Sequence, residues 1–374
     1  MTIVDAACPV TGGVDTHLDL NVAAALDPVG GLLAAAEFPA TSAGHRRLLG
    51  WLAGFGPVTR VGVEGTGSYG AGLARYLRAA GVEVVEVDRP DRQARRRSGK
   101  SDPLDAIEAA RAALSGRACG AAKTRDGNVE AIRVLVVARR SARSTKIKTL
   151  NQIRHLSYTA PDQLRERLKG VSRQQLAARA AALRPSQREG ADPVLVATKT
   201  ALRILGRRVL ALDEEKARIG ALLSELVTQT APELLTLHGV GIDTAATLLV
   251  TAGDNPGRLR SEAAWAAICP GNYMSARKSK GGRTGDGGAC IKPLLIQAAW
   301  AAVRVPGRLQ ARFGRLVRKF GGPRNKGAQK RAITAIAHTL LKIAHGVLKT
   351  GQPYAAWAPT STPAANPPMP GRTT

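Results

Sequence analysis

Short apolar stretches with a period of two residues open the chain. Three of them follow one another before residue 40, and the turn sequence Asp27-Pro28-Val29-Gly30-Gly31 separates the second from the third. Alternation of this kind, bounded by Gly, Pro and Asp, is typical of neighbouring strands joined by tight turns. It predicts a meander of three strands, over residues 13–20, 21–27 and 32–38.

Helical and strand patterns then alternate. An amphipathic period predicts helices over 42–55 and 69–80, and apolar runs predict strands over 58–63 and 82–87. Such alternation indicates strands that are parallel in one sheet. A meander followed by these units predicts a mixed α/β sheet of the ribonuclease-H type, with its first and fourth strands side by side.

The remainder of the chain is mainly helical in period. Ala-, Leu- and Arg-rich stretches over 128–156 and 175–226 predict an extended antiparallel helical or coiled-coil region. A final segment rich in Pro, Ala and Thr predicts disorder. The predicted regions are an α/β domain at 1–125, a coiled-coil helical region at 126–231, a mostly α domain at 232–350 and a disordered tail at 351–374.

Charge is distributed unevenly along the 374 residues. The chain has 55 Lys and Arg against 28 Asp and Glu, a net charge of +27 with a pI near 11.0. Residues 1–90 hold six basic and nine acidic side chains, so residues 91–374 carry a net charge of +30. This surplus predicts a polyanionic partner, with nucleic acid as the leading candidate. Backbone contacts alone carry little sequence information.

The spacing of the cysteines and the hydropathy narrow the possible class of protein and its location. Cys8, Cys119, Cys269 and Cys290 form no Cys-x-x-Cys pair, so neither a zinc knuckle nor a disulfide framework is indicated. The sequence shows no signal-peptide pattern and no apolar run of about eighteen residues, the length that spans a bilayer. We therefore expect a soluble, cytoplasmic protein that does not contact a membrane.

Two acidic residues stand at the start of a predicted helix. Asp102 precedes Pro103, which is tolerated in a first helical turn, and the helical period continues to about Leu114. Asp105 comes three residues after Asp102, a spacing that puts two side chains close together on one helix. The pair is therefore expected near the helix N-terminus.

Carboxylates also stand on two apolar strands. Asp15 lies on the first predicted strand and Glu64 ends the fourth, so both can meet the face formed by Asp102 and Asp105. Four carboxylates this close repel one another unless cations neutralise them. Mg²⁺, or Mn²⁺, suits such an all-oxygen site, and two ions there favour phosphoryl transfer. We expect His17 to be a neighbour of this site rather than a ligand; the alternative is that the acids are ordinary caps and turn residues.

A second pattern is the turn sequence Gly239-Val240-Gly241. It stands between two predicted helices, the second of them built from small residues, which is the form of a helix-hairpin-helix. Backbone N–H groups at Gly239, Gly241 and the following helix N-terminus can bind phosphate without contacting bases. The alternative is a plain tight turn in a helical domain.

Two basic segments, residues 89–100 and residues 269–285, predict further nucleic-acid contacts. Residues 269–285 are predicted to form a polar, glycine-rich loop between a helix around Ala264 and an apolar helix from about Lys292. Loops of this composition follow a DNA strand or carry a nucleophile, but composition alone singles out no serine. The basic residues expected to contact nucleic acid are Arg95, Arg96, Arg97, Lys100, Arg277, Lys278, Lys280 and Arg283.

Six motifs between residues 10 and 350 occur in a highly specific order and spacing. They are Gly13-Val14-Asp15-Thr16-His17, Glu64-Gly65-Thr66-Gly67-Ser68-Tyr69, Lys100-Ser101-Asp102-Pro103-Leu104-Asp105-Ala106, the helix from Ala138-Arg139-Arg140 to Asn151-Gln152, Leu237-His238-Gly239-Val240-Gly241 and Cys269-Pro270-Gly271-Asn272. Together they resemble the insertion-sequence family one-ten transposases, also called DEDD transposases.

The resemblance implies an architecture and a set of partners. It implies a RuvC-like N-terminal domain, a coiled-coil middle and a C-terminal transposase domain that bears a serine. It also implies that the two active parts join in a composite site across subunits, in a homodimer or a homotetramer. The partners it implies are the DNA of the element ends and target, and a structured bridge RNA transcribed from the element.

The resemblance also implies roles for individual residues. Asp15, Glu64, Asp102 and Asp105 are similar to the family's metal-binding tetrad, and Ser275 to the nucleophile that forms a transient phosphoserine link to DNA. A serine hydroxyl becomes an effective nucleophile only when a base or a metal activates it.

Three hypotheses stay open on the sequence. The main one is a DNA transposase or recombinase that uses both the metal site and the serine. The residues after Ser275 are Ala-Arg-Lys, where the family usually has Ser-Gly-Lys, and Ser279 lies close by as a second candidate nucleophile. The alternatives are a junction-resolving nuclease that uses the metal site alone and a catalytically decayed nucleic-acid-binding protein.

Overall fold

The computed structural model describes residues 8–87, 102–118, 120–186, 192–254, 270–275, 278–284 and 291–354. Contacts divide the chain into two compact units. Unit 1 comprises Met1–Leu226 and Ala246–Ser261, and unit 2 comprises Val227–Ala245 and Glu262–Thr374. The predicted domain boundaries remain a prediction.

A mixed sheet with helices on both faces forms the first part of unit 1. Its elements are β1 (Val10–Thr16), β2 (Leu20–Leu26), β3 (Leu32–Pro39), α1 (Ser42–Ala53), β4 (Val58–Glu64), α2 (Ala71–Ala79), β5 (Glu83–Val87), α3 (Asp102–Leu114) and the two-residue β6 (Gly120–Ala121). The strand order is β3-β2-β1-β4-β5-β6. β1, β4 and β5 are parallel to one another, whereas β2, β3 and β6 each pair antiparallel with a neighbour. The prediction that the first and fourth strands are adjacent is confirmed.

β1 and β2 are buried along nearly their whole length because helices cover both faces of the sheet. On one face, Val14 and Val63 pack in a core with Leu48 of α1 and Leu77 of α2. On the other, residues of β2 pack against Ala106 and its neighbours in α3. The result is three layers, compatible with an α/β RuvC-like fold.

The first strand ends earlier than the sequence predicts. The prediction placed it over 13–20, whereas β1 covers Val10–Thr16. The N–H of His17 donates to the Leu20 carbonyl oxygen at 2.9 Å, which closes a tight turn between β1 and β2. This turn keeps His17 at the end of β1, close to the carboxyl end of the neighbouring β4.

The other elements described in unit 1 are helices. The helices are α4 (Asn128–Tyr158), α5 (Asp162–Leu168), α6 (Arg173–Ala181) and the part of α7 (Pro193–Thr230) that ends at Leu226. Arg139 Nη1 donates to the Lys216 carbonyl oxygen at 2.7 Å, and Lys146 Nζ lies 2.5 Å from an oxygen of Asp213. The second contact lies further along α4 than the first but earlier along α7, so the two helices are antiparallel. A coiled coil in this region remains a prediction.

The described part of unit 2 has two short strands and several helices. Its elements are the last residues of α7, α8 (Pro232–Leu235), the first residues of α9 (Ile242–Ala252), β7 (Pro270–Ser275), β8 (Lys278–Thr284), α10 (Ile291–Ala302), α11 (Arg308–Lys319) and α12 (Lys326–Thr350). α12 packs against α10 and α11. Asn325 caps α12 by accepting from the N–H groups of Gly327 and Ala328, and Gly351 ends it in the left-handed conformation.

The prediction of a loop over residues 269–285 is wrong, because most of this segment forms two strands. β7 and β8 pair antiparallel, with Pro270 opposite Thr284 and Ser275 opposite Lys278. The glycines and lysines gave no clear two-residue period, so strand pairing could not be recognised from composition. The helix predicted around Ala264 lies outside the described residues, as does nearly all of the predicted tail. Among the described residues no helix is both long enough and apolar enough to cross a membrane.

Candidate active site

Two glycines let α3 lie directly on the sheet. Gly13 of β1 and Gly62 of β4 are partners in the parallel pair. A Cβ atom on Gly13 would lie 2.1 Å from the nitrogen of Ala110 and 2.2 Å from the oxygen of Ala106, and one on Gly62 would lie 2.4 Å from the oxygen of Ala109. Any side chain at either position would collide with the backbone of α3. The two glycines therefore set the height of α3 above the strands.

Asp15 and Glu64 each come two residues after one of these glycines. Because side chains alternate along a strand, both carboxylates belong to the face that α3 covers. Asp15 is buried, with 7% of its surface exposed, and Glu64 is partly buried. Thr16 Oγ1 donates to the Glu64 carbonyl oxygen at 2.8 Å and ties the two strand ends together.

The first turn of α3 brings the other two acids to the same end of the sheet. Arg60, near the start of β4, donates to the carbonyl oxygen of Ala113 near the end of α3, so helix and strand run in opposite directions. The N-terminus of α3 therefore lies beside the carboxyl ends of β1 and β4. Asp105 is buried there, and the side chain of Asp102 is 49% exposed.

Three donor atoms converge at this point. His17 Nε2 lies 3.3 Å from Asp15 Oδ2 and 3.6 Å from Asp102 Oδ2. The three residues each offer one atom within 4.8 Å of the others, the only such group of three found among the described residues. Glu64 and Asp105 do not belong to this group. The structure thus brings Asp15 and Asp102 together, and it adds His17.

Electrostatics at Asp15 favour a bound cation. Burial is the largest effect and raises the pKa of the Asp15 carboxyl above its ordinary 3.8. His17 lowers this pKa, whereas the negative charges of Asp105 and Asp102 raise it further. An ionised Asp15 is therefore costly by itself, and a positive charge between the acids offsets that cost.

The donor set fits a divalent metal ion. Carboxylate oxygens are the usual ligands of Mg²⁺, and Mn²⁺ accepts both carboxylate and imidazole. His17 Nε2 is a buried atom that has no hydrogen-bond partner, although it lies within ion-pair distance of two carboxylates. A buried polar atom of this kind is costly unless something binds it.

The candidate nucleophile lies in unit 2. Ser275 is the last residue of β7, and its backbone pairs with that of Lys278 at the start of β8. Lys280 and Arg283 follow on β8. Arg277 lies outside the described residues, and so do Arg95, Arg96, Arg97 and Lys100.

The Gly239-Val240-Gly241 turn lies between α8 and α9. α8 has only four residues, and a helix-hairpin-helix remains a prediction. Gly239 has φ +88°, and a Cβ atom there would lie 2.2 Å from the carbonyl oxygen of Ala298 in α10. Gly241 has no atom within 4 Å of such a Cβ, and its carbonyl oxygen accepts from Thr244 at the start of α9. Gly239 is therefore needed for packing, whereas Gly241 is open.

Two family models match this chain. A DEDD transposase model of IS110, described as a transposase, matches residues 12–157. A second model, described as a transposase of the IS116/IS110/IS902 family, matches residues 231–314. Together the two matches cover more than half of the chain. The chain belongs to the IS110 family of transposases. The first match includes Asp15, Glu64, Asp102 and Asp105, and the second includes Gly239, Gly241 and Ser275.

Membership of the IS110 family implies an enzyme that binds DNA, cleaves it and transfers its strands. A DEDD transposase also implies the use of divalent metal ions, in agreement with the acidic group at the end of β1. A search of curated proteins gave no match to this transposase.

One residue of this IS110 transposase lies closer to the acids than its sequence position alone indicates. His17 was expected to be a neighbour of the site rather than a ligand, and its Nε2 lies beside both Asp15 and Asp102. The signal was present in the Asp-x-His spacing, because residues two apart on a strand belong to the same face. Its closeness to Asp102 depends on how α3 packs, which the spacing does not contain.

Proposed function

We propose that this IS110-family transposase excises and inserts its insertion sequence by metal-dependent, serine-assisted strand cleavage and exchange, guided by a bridge RNA. The observation that carries the proposal is the meeting of Asp15 and Asp102 at the junction of β1 and α3, in a chain whose family is defined by such acids. Neither acid has a Lys or Arg in contact with it among the ion pairs of the described residues.

In this proposal Asp15, Glu64, Asp102 and Asp105 hold Mg²⁺ or Mn²⁺. The bound ion supplies charge stabilisation at the scissile phosphate and a lowered pKa for the attacking hydroxyl. The packing of α3 on the sheet keeps the acids together before DNA arrives. The hydrogen bond from Thr16 to the Glu64 backbone holds the ends of β1 and β4 in register.

Ser275 supplies the attacking oxygen. Its Oγ–H loses a proton as Oγ bonds to phosphorus, and the bond from phosphorus to one deoxyribose oxygen breaks. That oxygen takes up a proton and leaves as the free DNA hydroxyl, so a phosphodiester becomes a phosphoserine link. In the reverse step another DNA hydroxyl attacks the link and releases Ser275, and strands are exchanged without an external energy source.

The basic part of the chain binds the nucleic acids. Its +30 net charge favours contacts with phosphates, which by themselves do not discriminate between sequences. The residues proposed for these contacts are Arg95, Arg96, Arg97, Lys100, Gly239, Gly241, Arg277, Lys278, Lys280 and Arg283. Pairing of a bridge RNA with the element end and the target then determines the sequence. A homodimer or a homotetramer completes a composite site from the acids of one subunit and the serine of another.

The experiment combines the full chain with RNA transcribed from the flanks of its element, labelled element-end DNA and Mg²⁺ or Mn²⁺. The readouts are strand cleavage and a protein–DNA adduct that survives denaturation. The variants are Ser275→Ala and Asp15→Asn, and Ser279→Ala is the matched control. We expect the adduct in wild type and in Ser279→Ala, and its loss in the other two variants.

Each other outcome contradicts a particular part of the proposal. Cleavage that survives Ser275→Ala but not Asp15→Asn indicates a nuclease that uses the metal alone. An adduct lost in Ser279→Ala and kept in Ser275→Ala moves the nucleophile to Ser279. Binding of DNA without cleavage by any version indicates a decayed nucleic-acid-binding protein. Cleavage in the absence of RNA contradicts guidance by a bridge RNA.

A further inference from the structure

The position of His17 is determined by its backbone. It is the first residue after β1, and its N–H donates to the Leu20 carbonyl oxygen at 2.9 Å. Asp15 lies two residues earlier on a fully buried strand, so neither residue can shift without disturbing the sheet. The imidazole is thus held at the end of the sheet where α3 begins.

The distances around His17 Nε2 match those between ligands of one ion. Two ligand atoms that each lie about 2.1 Å from an ion, at right angles to one another, are about 3 Å apart. His17 Nε2 lies 3.3 Å from Asp15 Oδ2 and 3.6 Å from Asp102 Oδ2. All three ligand atoms lie within 4.8 Å of one another.

The burial of this nitrogen also points to a ligand. The His17 side chain is 42% exposed, yet its Nε2 is buried and makes no hydrogen bond. The exposed part of the ring is therefore the part away from the acids. A nitrogen that served only as a surface group would be hydrated, whereas this one is buried and lies within 3.6 Å of two carboxylate oxygens.

We propose that His17 binds the catalytic metal through Nε2, as a nitrogen ligand shared with Asp15 and Asp102. The inference rests on the metal centre of the proposed function and adds a ligand to the four acids. Imidazole favours Mn²⁺ over Mg²⁺, because Mg²⁺ prefers oxygen ligands and keeps its waters. This transposase therefore binds Mn²⁺ more tightly than an all-carboxylate site does.

Pulsed electron paramagnetic resonance of the full chain with Mn²⁺ tests the assignment directly. A nitrogen bound to Mn²⁺ gives a strong ¹⁴N coupling, and growth on ¹⁵N-histidine converts it into a ¹⁵N signal. We expect this coupling in wild type and its loss in His17→Gln. His45→Gln is the matched control, because His45 packs beside Tyr76 with ring centroids 6.1 Å apart and is not in the acidic group. We expect His45→Gln to keep the coupling.

Metal titration gives a second readout. We expect His17→Gln to bind Mn²⁺ about tenfold or more weakly, with a smaller change for Mg²⁺, as is typical when one group around a metal is lost. Mn²⁺ that binds wild type without histidine coupling overturns the role of His17 and leaves the acidic centre standing. No Mn²⁺ binding by wild type, or unchanged binding by Asp15→Asn, overturns the proposed metal centre itself. A wild-type spectrum without histidine coupling overturns the role of His17 even if a variant fails to fold.

Discussion

Gly13 and Gly62 lie opposite one another in the parallel pair of β1 and β4, and the backbone of α3 rests on both. The two residues that follow this pair on the same face are Asp15 and Glu64. Close packing of a helix on glycines thus decides where the acids of the candidate metal centre meet. The same relationship explains why a Gly-x-Asp and a Gly-x-Glu sequence end neighbouring strands.

Substitution of Gly13 by alanine is expected to damage both stability and metal binding. The new Cβ would lie 2.1 Å from the Ala110 nitrogen, so α3 has to move away and carry Asp102 with it. We expect a loss of about 2 kcal/mol or more in the free energy of unfolding, in the range of overpacked cores, together with weaker Mn²⁺ binding. Gly50→Ala is the control, because no atom lies within 4 Å of its Cβ and alanine favours a helix. Equal stability of the two variants would show that α3 does not rest on Gly13.

Divalent metal is expected to stabilise unit 1. Mn²⁺ at about a hundred times its dissociation constant adds about 2.7 kcal/mol to the folded state, and EDTA reverses the effect. Asp15→Asn removes a buried negative charge beside two other acids, so its metal-free form should melt no lower than that of wild type. Its melting temperature should no longer respond to Mn²⁺.

Asp19→Asn is the matched control for the melting experiment, since Asp19 is exposed in the turn after β1. It should keep the full response to Mn²⁺. A response that also survives in Asp15→Asn would mean that the ion binds elsewhere.

The first turn of α4 provides a pH-dependent contribution to stability. Glu130 accepts two hydrogen bonds from Arg133, at 2.8 and 2.6 Å. These bonds are the main cause of the lowered pKa of Glu130, whose ordinary value is 4.5; burial opposes them, and the charges of Arg133, Arg125 and Arg75 add to them. The folded state therefore binds this proton less tightly than the unfolded state. The stabilisation is full above the unfolded pKa and is lost as pH falls through the folded one.

Glu130→Gln measures this contribution. We expect it to be about 0.5–1 kcal/mol less stable than wild type near neutral pH, and the difference to disappear in acid below the folded pKa. Urea unfolding at both pH values gives the numbers, with the exposed Glu37→Gln as the control. A difference that stays constant with pH would assign the effect to packing rather than to charge.

The two glycines of the turn before α9 are expected to respond differently. Alanine at Gly239 combines a positive φ with a collision against Ala298, so we expect a loss of about 2 kcal/mol or more. Gly241→Ala should fold like wild type. If the turn binds phosphate, Gly241→Asp weakens DNA binding without lowering the melting temperature, because an acid at a helix N-terminus is itself favourable. Unchanged DNA binding by Gly241→Asp would remove this turn from the nucleic-acid interface.

Much of the sheet could be predicted because its signals are local. The period of two residues, the Asp27 turn and the alternation of strands with helices each lie within a short window. They were enough to predict that the first and fourth strands are neighbours, and with them Asp15 and Glu64. The extent of β1 was predicted less well, since the turn at His17 depends on one backbone hydrogen bond to Leu20.

The sequence by itself determined the uneven distribution of charge, with nearly all of the basic surplus after residue 90, and it identified the acids on the strands and the helix. It did not determine that β7 and β8 pair, because glycine and lysine give little periodicity. Only the tertiary structure decided that His17 lies 3.6 Å from Asp102. Periodicity reflects backbone geometry within a few residues, whereas a contact between residues far apart in sequence depends on how closely α3 packs on the sheet.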